Sequence, residues 1–408
     1  MTKQIRLWYL YDFANSFASV VLIFYFPLIF VEKGGMEEWI GVAASLSTVL
    51  LLVLLPPLGR RADQTGRRRP LLTYGLIGMA VSLIILGYLF ANDSLSSITV
   101  QIIALLVYIF FQFCFQGSVA VYSSLLRALS NQDNDVVVSG RGYALGQFGN
   151  ALAMALVSPL VASGAIFLGL SGKPLALVVG AVLSVLLGLP FLLFAKEVGV
   201  KKEELVAFSY SDFWRKIKND KPVLFFLLGM LFLSDAISTF EIYATVYLSK
   251  VFDLSDQMVI YTALIGLGFG LVGGLLAFRF VLFLKSKMAT LLMSSLLYGL
   301  CFFLLAIVPK NQVLVFGVLV LSGLSYGLVF SLARVIYAEL VPRDEQTEYF
   351  SMYSLFQRAS VVVGPLIWVA TFTLLAPFGE DIQYRGSIFL LVFMVIIGYV
   401  FLRKVKYK

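Results

Sequence analysis

Histidine is absent from this chain, and cysteine occurs only twice, at Cys114 and Cys301. Both cysteines fall inside apolar stretches, so a disulfide framework has no basis. With no histidine and no thiol cluster, a zinc site built from the usual nitrogen and sulfur ligands is excluded, and so is a histidine proton relay. Charge is scarce too. Only 13% of the 408 residues are Asp, Glu, Lys or Arg, against about a quarter in an ordinary soluble domain. No nucleophile–base constellation and no cofactor fingerprint stands out, which argues against an enzyme and for no cofactor. What fills the chain instead is apolar: 60% of residues are hydrophobic and the mean hydropathy is +0.93. These residues come in blocks, several longer than the ~20 residues that cross ~30 Å of hydrocarbon. The chain is therefore expected to be an all-α protein of the lipid bilayer.

Twelve apolar windows are expected, at roughly 7–31, 39–59, 70–91, 98–126, 141–168 and 174–195, then 222–249, 257–281, 288–308, 311–340, 346–376 and 386–402. Asp12 and Asn15 interrupt the first window where a signal peptide would be uniformly apolar, so it is taken as an uncleaved first span. The net charge of +8 would suggest nucleic acid in a soluble chain. Here the cations lie between spans, no nucleic-acid partner is expected, and the charges set orientation. With both termini and the even-numbered loops on one side, 24 of the 31 Lys and Arg residues collect there, five lie opposite, and Arg334 and Arg358 fall within spans. The positive-inside rule then places both termini in the cytoplasm. A charged stretch divides the windows into residues 1–195, a linker at 196–221 with a short surface helix around 211–218, and residues 222–408. Two pseudo-symmetric six-helix bundles are expected, self-sufficient as a monomer.

Six charges lie within spans: Asp12, Asp235, Glu241, Arg334, Glu339 and Arg358. A charge facing lipid is costly, so these residues must face the protein interior or water. They occupy spans 1, 7, 10 and 11, whereas spans 3, 6, 9 and 12 carry none and are expected to face lipid. Helical spacing joins polar neighbours to them. Asp12, Asn15 and Ser16 share a stripe with Ser19; Gln112 and Gln116 form another; Gln147 and Asn150 lie on one face. Asp235, Ser238 and Glu241 share a broad face, and Tyr326 neighbours Ser322 and Ser325. Candidate substrate-binding or coupling residues are thus Asp12, Asn15, Ser16, Gln112, Gln116, Gln147, Asn150, Asp235, Ser238, Glu241, Tyr326, Arg334 and Arg358. Each has a structural alternative: the acids and arginines can simply pair. Gly142, Gly146 and Gly149, and likewise Gly266, Gly270 and Gly274, have the small-residue spacing that lets membrane helices approach closely.

The halves echo each other, with Asp12 and Asp235 each opening a Ser- and Phe-containing stretch about a dozen residues into its half. Between spans 2 and 3 stands Gly59-Arg60-Arg61-Ala62-Asp63-Gln64-Thr65-Gly66-Arg67-Arg68-Arg69. Gly66 permits a tight turn, and Asp63 can accept from a helix N-terminus or an arginine. Gly59, Asp63, Gly66, Arg67 and Arg68 are expected to form a charge latch that favours one access state. The matching loop of the second half has Arg279, Lys285 and Lys287 but no Asp or turn glycine, so its latch is expected to be degenerate. The first loop resembles the G-x-x-x-D-x-x-G-R-R signature of major facilitator transporters. A narrower resemblance runs through Tyr11-Asp12-Phe13-Ala14-Asn15-Ser16 with Phe26-Pro27, through Ser139-Gly140-Arg141-Gly142-Tyr143-Ala144-Leu145-Gly146, and through Arg334, Leu340-Val341-Pro342, Glu348-Tyr349-Phe350 and Gly364-Pro365. These are similar to motifs of the vacuolar amino-acid effluxer family and its bacterial relatives, with Phe13 in place of a tryptophan and Ser351 in place of a glycine. The resemblance implies the major facilitator fold and alternating access about a midplane site. It also implies a small polar cargo such as an amino acid, and efflux as one direction. Protons are a candidate coupling ion, since a carboxylate buried beside apolar surface can hold one. The expected location is a bacterial inner membrane. A sugar, an organic anion or an amphiphile as cargo, or a non-transporting receptor on the same fold, remain open alternatives.

Overall fold

A computed structural model describes residues 3–35, 37–92, 97–130, 134–197, 209–254 and 256–406. Twelve long helices run through it: α1 (Lys3–Glu32), α2 (Glu37–Thr65), α3 (Arg69–Ala91), α4 (Ser97–Ser124), α6 (Asp135–Ala162), α7 (Gly172–Phe194), α9 (Lys221–Phe252), α10 (Asp256–Leu284), α11 (Lys287–Ile307), α12 (Gln312–Leu340), α13 (Gln346–Leu374) and α14 (Glu380–Arg403). Short helices α5 (Leu126–Leu129) and α8 (Tyr210–Asn219) lie between them. Among the described residues, eleven helices are long and apolar enough to cross a membrane. In α13, side chains 358–362, including that of Arg358, are outside the described set, as is the linker stretch 198–208 with Lys201 and Lys202.

The helix boundaries follow local chemistry. Ser286 and Asn311 cap α11 and α12 by accepting from the amides of Ala289 at 3.2 Å and Leu314 at 3.2 Å, which satisfies donors left orphaned in a first turn. Ser209 does the same for α8, accepting from Asp212 at 3.3 Å. Lys216 and Lys218 stand in the last turn of α8, where the helix dipole favours cations, and Phe213 and Ile217 bury its apolar side. The fifth span stops at Ala162, six residues earlier than expected. Beyond it a two-stranded hairpin pairs β1 (Ile166–Phe167) with β2 (Leu170–Ser171). Gly164, Gly169 and Gly172, all at positive φ, turn the chain there, a local signal that hydropathy does not carry.

The chain forms two compact units. Unit 1 holds Met1–Asn131, Leu145–Val206 and Arg343–Ser354; unit 2 holds Gln132–Ala144, Ala207–Pro342 and Leu355–Lys408. In unit 1, α1 packs on α7, α3 on α4, α3 on α7 and α2 on α4; in unit 2, α9 packs on α14, α11 on α12, α11 on α14 and α10 on α12. Each pair in one list has its counterpart six spans later, so the sequence echo has a structural equivalent. Within unit 1, α1 is the buried helix, with Trp8, Tyr11, Phe26 and Phe30 fully inside. Its tyrosine Tyr11 donates to the Leu72 carbonyl of α3 at 2.9 Å. Tyr247 of α9 donates to Leu305 of α11 at 2.8 Å, again a first-span to third-span bond. Glycines set the closest approaches in unit 2: a methyl group on Gly327 of α12 would collide with the Gly270 carbonyl of α10. Tyr74, Ile77, Val81, Ile84, Ile85 and Tyr88 of α3, and Leu296, Leu300, Phe303 and Ile307 of α11, form exposed apolar stripes. A lipid-facing helix requires such a stripe.

Candidate functional site

The loop between α2 and α3 is organised around a carboxylate. Gly66 takes φ +68°, turning Asp63 and Arg68 towards each other. Asp63 Oδ1 receives Arg68 Nη2 at 2.6 Å, and both side chains are almost fully buried. The same carboxylate caps α13. The Thr347 amide donates to Oδ1 at 3.1 Å and the Glu348 amide to Oδ2 at 2.9 Å. These first-turn amides have no partner within their own helix, and they carry the positive end of its dipole. Arg68 Nε donates to Thr347 Oγ1 at 2.8 Å, and Ser124 Oγ lies 3.0 Å from that hydroxyl. Gly59 is required for the approach, since a Cβ there would stand 2.5 Å from Ser351 Oγ and 2.7 Å from the Thr347 carbonyl. Glu197 closes the other side by accepting from the amides of Arg68 and Arg69 at the start of α3. All of this lies within unit 1. Arg67 points outward and makes no part of the latch core.

Unit 2 has a second latch of different design, contrary to the expectation that its loop is degenerate. Lys285 adopts φ +52°, making the turn without a glycine. Lys287 then reaches two acids, Asp135 Oδ2 at 2.6 Å and Glu339 Oε1 at 2.8 Å. In the first latch the loop offers an anion to a helix start; in the second it offers a cation to Asp135 at the start of α6. The sign is reversed: Asp63 meets first-turn amides of α13, whereas Lys287 meets the Asp135 carboxylate of α6. Sequence comparison of the loops alone misses this, since the partner residue lies some 150 positions away. Glu339 thereby sits in the latch.

Deeper in unit 2, Asp235 is 2% exposed. Its Oδ1 accepts from the backbone amide of Gly364 in α13 at 2.8 Å. Among the described residues it pairs with no cation. A side chain at Gly364 would collide with Thr239 Oγ1 and come within 2.6 Å of Asp235. Glycine at 364 thus lets a carboxylate dock directly onto the helix backbone. Farther along α9, Glu241 keeps accessible surface and receives the Tyr326 hydroxyl of α12. Ser238, between them, is half-buried. Arg334 is half-buried one turn above the Ser331 carbonyl, which accepts from Ser139 of α6 at 2.7 Å.

In unit 1, Asp12 and Ser16 face α6 where Gly146 leaves room; a Cβ on Gly146 would lie 3.0 Å from Asp12 Oδ2. Gly149 likewise admits Ser16 and the Phe13 carbonyl. Ser16 donates back to the Asp12 carbonyl at 2.9 Å, which uses its hydrogen locally. Asn15 is 5% exposed, and its Oδ1 is buried with no hydrogen-bond partner among the described residues. Gln112 donates to Tyr108 at 2.9 Å, while Gln116, Gln147 and Asn150 are half-buried. A separate open cleft of about 690 Å³ in unit 2 is lined by Lys250, Asp253, Lys310, Glu380, Asp381 and Arg385. Its cations pair within it, Lys250 with Glu380 at 3.1 Å, Lys310 with Asp253 at 2.7 Å and Arg385 with Asp381 at 2.9 Å.

A family model described as Major Facilitator Superfamily matches residues 9–365. The chain belongs to that superfamily. It is a multi-pass membrane transporter rather than an enzyme, as such carriers move small molecules. It is similar to the MFS-type transporter YxiO of Bacillus subtilis (strain 168), with 25% identity over 98% of this chain and 94% of that protein. It is also similar to Autophagy-related protein 22 of Saccharomyces cerevisiae (strain ATCC 204508 / S288c), with 25% identity over 43% of this chain and 34% of that one. These relatives agree with the resemblance to the vacuolar effluxer family. Among solved structures, the fold matches the carrier FucP, a fucose:proton symporter of E. coli, at a TM-score of 0.77 and 11% identity, covering 100% of this chain and 99% of that one. It matches a bacterial homologue of the iron transporter ferroportin at 0.75 and 16% identity, covering 99% of each.

Proposed function

We propose that this carrier moves a small polar solute, an amino acid or similar metabolite, by alternating access coupled to protons, with efflux as its working direction. It acts as a monomer in a bacterial inner membrane with both termini in the cytoplasm. The observation that carries the coupling is Asp235. An ionised carboxylate so buried is costly unless a cation or several donors compensate it, and among the described residues one backbone amide at 2.8 Å is the compensation. A proton is the simplest charge to fill that deficit. Asp12, Asn15, Ser16, Gln112, Gln116, Gln147, Asn150, Ser238, Glu241, Tyr326, Arg334 and Arg358 supply the polar groups for solute, and the Asp63–Arg68 and Lys287 latches hold one access state. The cargo class rests on the motifs that are similar to those of the vacuolar amino-acid effluxer family.

Uptake by proteoliposomes of the purified carrier tests this, using a panel of labelled amino acids with and without an acidic lumen, because a proton-driven exporter takes solute in as protons leave. Accumulation that collapses with a protonophore is the expected result. No amino acid moving under either condition removes the cargo, and sugars and organic anions then take its place in the panel. Transport indifferent to the gradient removes proton coupling.

A further inference from the structure

Glu241 is a carboxylate without a counter-ion: among the described residues no Lys or Arg pairs with it. The Tyr326 hydroxyl of α12 donates to it. Tyr298 of α11 lies within electrostatic range of the same carboxylate. Tyr143 of α6 lies within range of both tyrosines, its ring 6.1 Å from that of Tyr326 at 52°. Gly270 of α10 borders the group; a Cβ there would be 3.7 Å from the Tyr326 ring and 3.8 Å from the Tyr143 hydroxyl. Helix segments of unit 2 from α6, α9, α10, α11 and α12 therefore bring polar or bare positions near one another.

The chemistry of that spot is selective. A carboxylate can accept about four hydrogen bonds, and Tyr326 supplies one. Aromatic faces attract a cation, and more strongly where water is scarce. Tyr143 and Tyr298 are 8% and 4% exposed, so the tyrosines near this acid are largely shielded from water. A metal ion finds one carboxylate and too few hard oxygen ligands, and no cluster of metal-binding residues occurs among the described residues. A protonated amine meets the need, with three donors for the remaining lone pairs and a charge opposite to that of the carboxylate.

We infer that Glu241, with Tyr326, Tyr143 and Tyr298 around it, is the recognition site for a protonated amino group on the transported solute. The assignment rests on the proposal that the carrier moves small polar solutes and adds which end of the solute unit 2 holds.

Calorimetry on the purified carrier with three probes of one shape separates the possibilities: phenethylamine, L-phenylalanine and 3-phenylpropionate. The two amines should bind and the deaminated acid should not. Glu241→Gln should weaken both amines by about thirtyfold, the effect of losing a charge-assisted contact. Tyr326→Phe keeps the ring and should weaken them severalfold. Size-exclusion profiles confirm that each variant is folded. Equal binding of 3-phenylpropionate overturns the inference. So does unchanged amine affinity in Glu241→Gln, or the absence of amine binding at millimolar concentration. Uptake of the deaminated acid by proteoliposomes without amine binding would retain a working transporter and discard only this site.

Discussion

Replacing Asp63 with asparagine removes one charge and leaves the shape almost intact. The carboxylate accepts three hydrogen bonds, from Arg68 at 2.6 Å, the Thr347 amide at 3.1 Å and the Glu348 amide at 2.9 Å. The side-chain amide in Asp63→Asn would offer a single oxygen for them, so at least one bond to a charged acceptor is lost, at about 1.5–3 kcal/mol. Arg68 is 5% exposed, and removing one partner of a buried pair costs about 3–5 kcal/mol. The two costs overlap, so about 3 kcal/mol is a fair value, which at 1.36 kcal/mol per decade is roughly 150-fold in population. Ser351 reports on it. Its side chain is fully buried against the Gly59 backbone, and a Ser351→Cys carrier lacking Cys114 and Cys301 should react with a polar thiol reagent only when the start of α13 leaves the loop. Labelling then tracks the opened population. Adding Asp63→Asn should raise the labelling rate by about two orders of magnitude, whereas Arg67→Gln, on the outward side chain, should leave it unchanged. A labelling rate in Asp63→Asn equal to its parent would refute the assignment of Asp63 as the clasp on α13.

Lys287→Met should lower the thermal midpoint in detergent clearly, because Asp135 and Glu339 would then face each other without a cation, at about 3 kcal/mol; adding Asp135→Asn and Glu339→Gln should recover most of the loss. Gly327→Ala should destabilise unit 2 by about 1–3 kcal/mol or more through overpacking against the Gly270 carbonyl, measured by the same melt. Asp235→Asn should retain solute binding but abolish the response of uptake to a pH gradient; a full response would strip Asp235 of its coupling role. Gly364→Ala should weaken the same response, since its methyl group would collide with Thr239 Oγ1 and push the Asp235 carboxylate off the backbone amide.

Hydropathy and the spacing of basic residues made the spans legible, because bilayer thickness and lipid exposure act on every residue of a helix at once. The α3 and α11 stripes are readable for the same reason. The loop motif was legible in its own residues: Gly66 turns and Asp63 accepts. Its partner was not, because the Thr347 and Glu348 amides are backbone groups and carry no residue signature. Lys287 was overlooked for the opposite reason, as its acids come from α6 and α12 and only tertiary structure unites them. Asp235 stood out as a buried acid, yet its contact with Gly364 depends on a missing side chain. The hairpin at 166–171 escaped because its apolar residues prolong the fifth span in composition, while glycines at positive φ end it in geometry.

The cleft formed by Lys250, Lys310 and Arg385 with Asp253, Glu380 and Asp381 holds equal numbers of opposite charges. Its field at a distance therefore largely cancels, and it neither gathers nor repels ions from bulk solution. Solutes reaching unit 2 there would arrive by unassisted diffusion, at rates that barely change with ionic strength. Discrimination among cations, anions and zwitterions would then be left to individual groups elsewhere in unit 2.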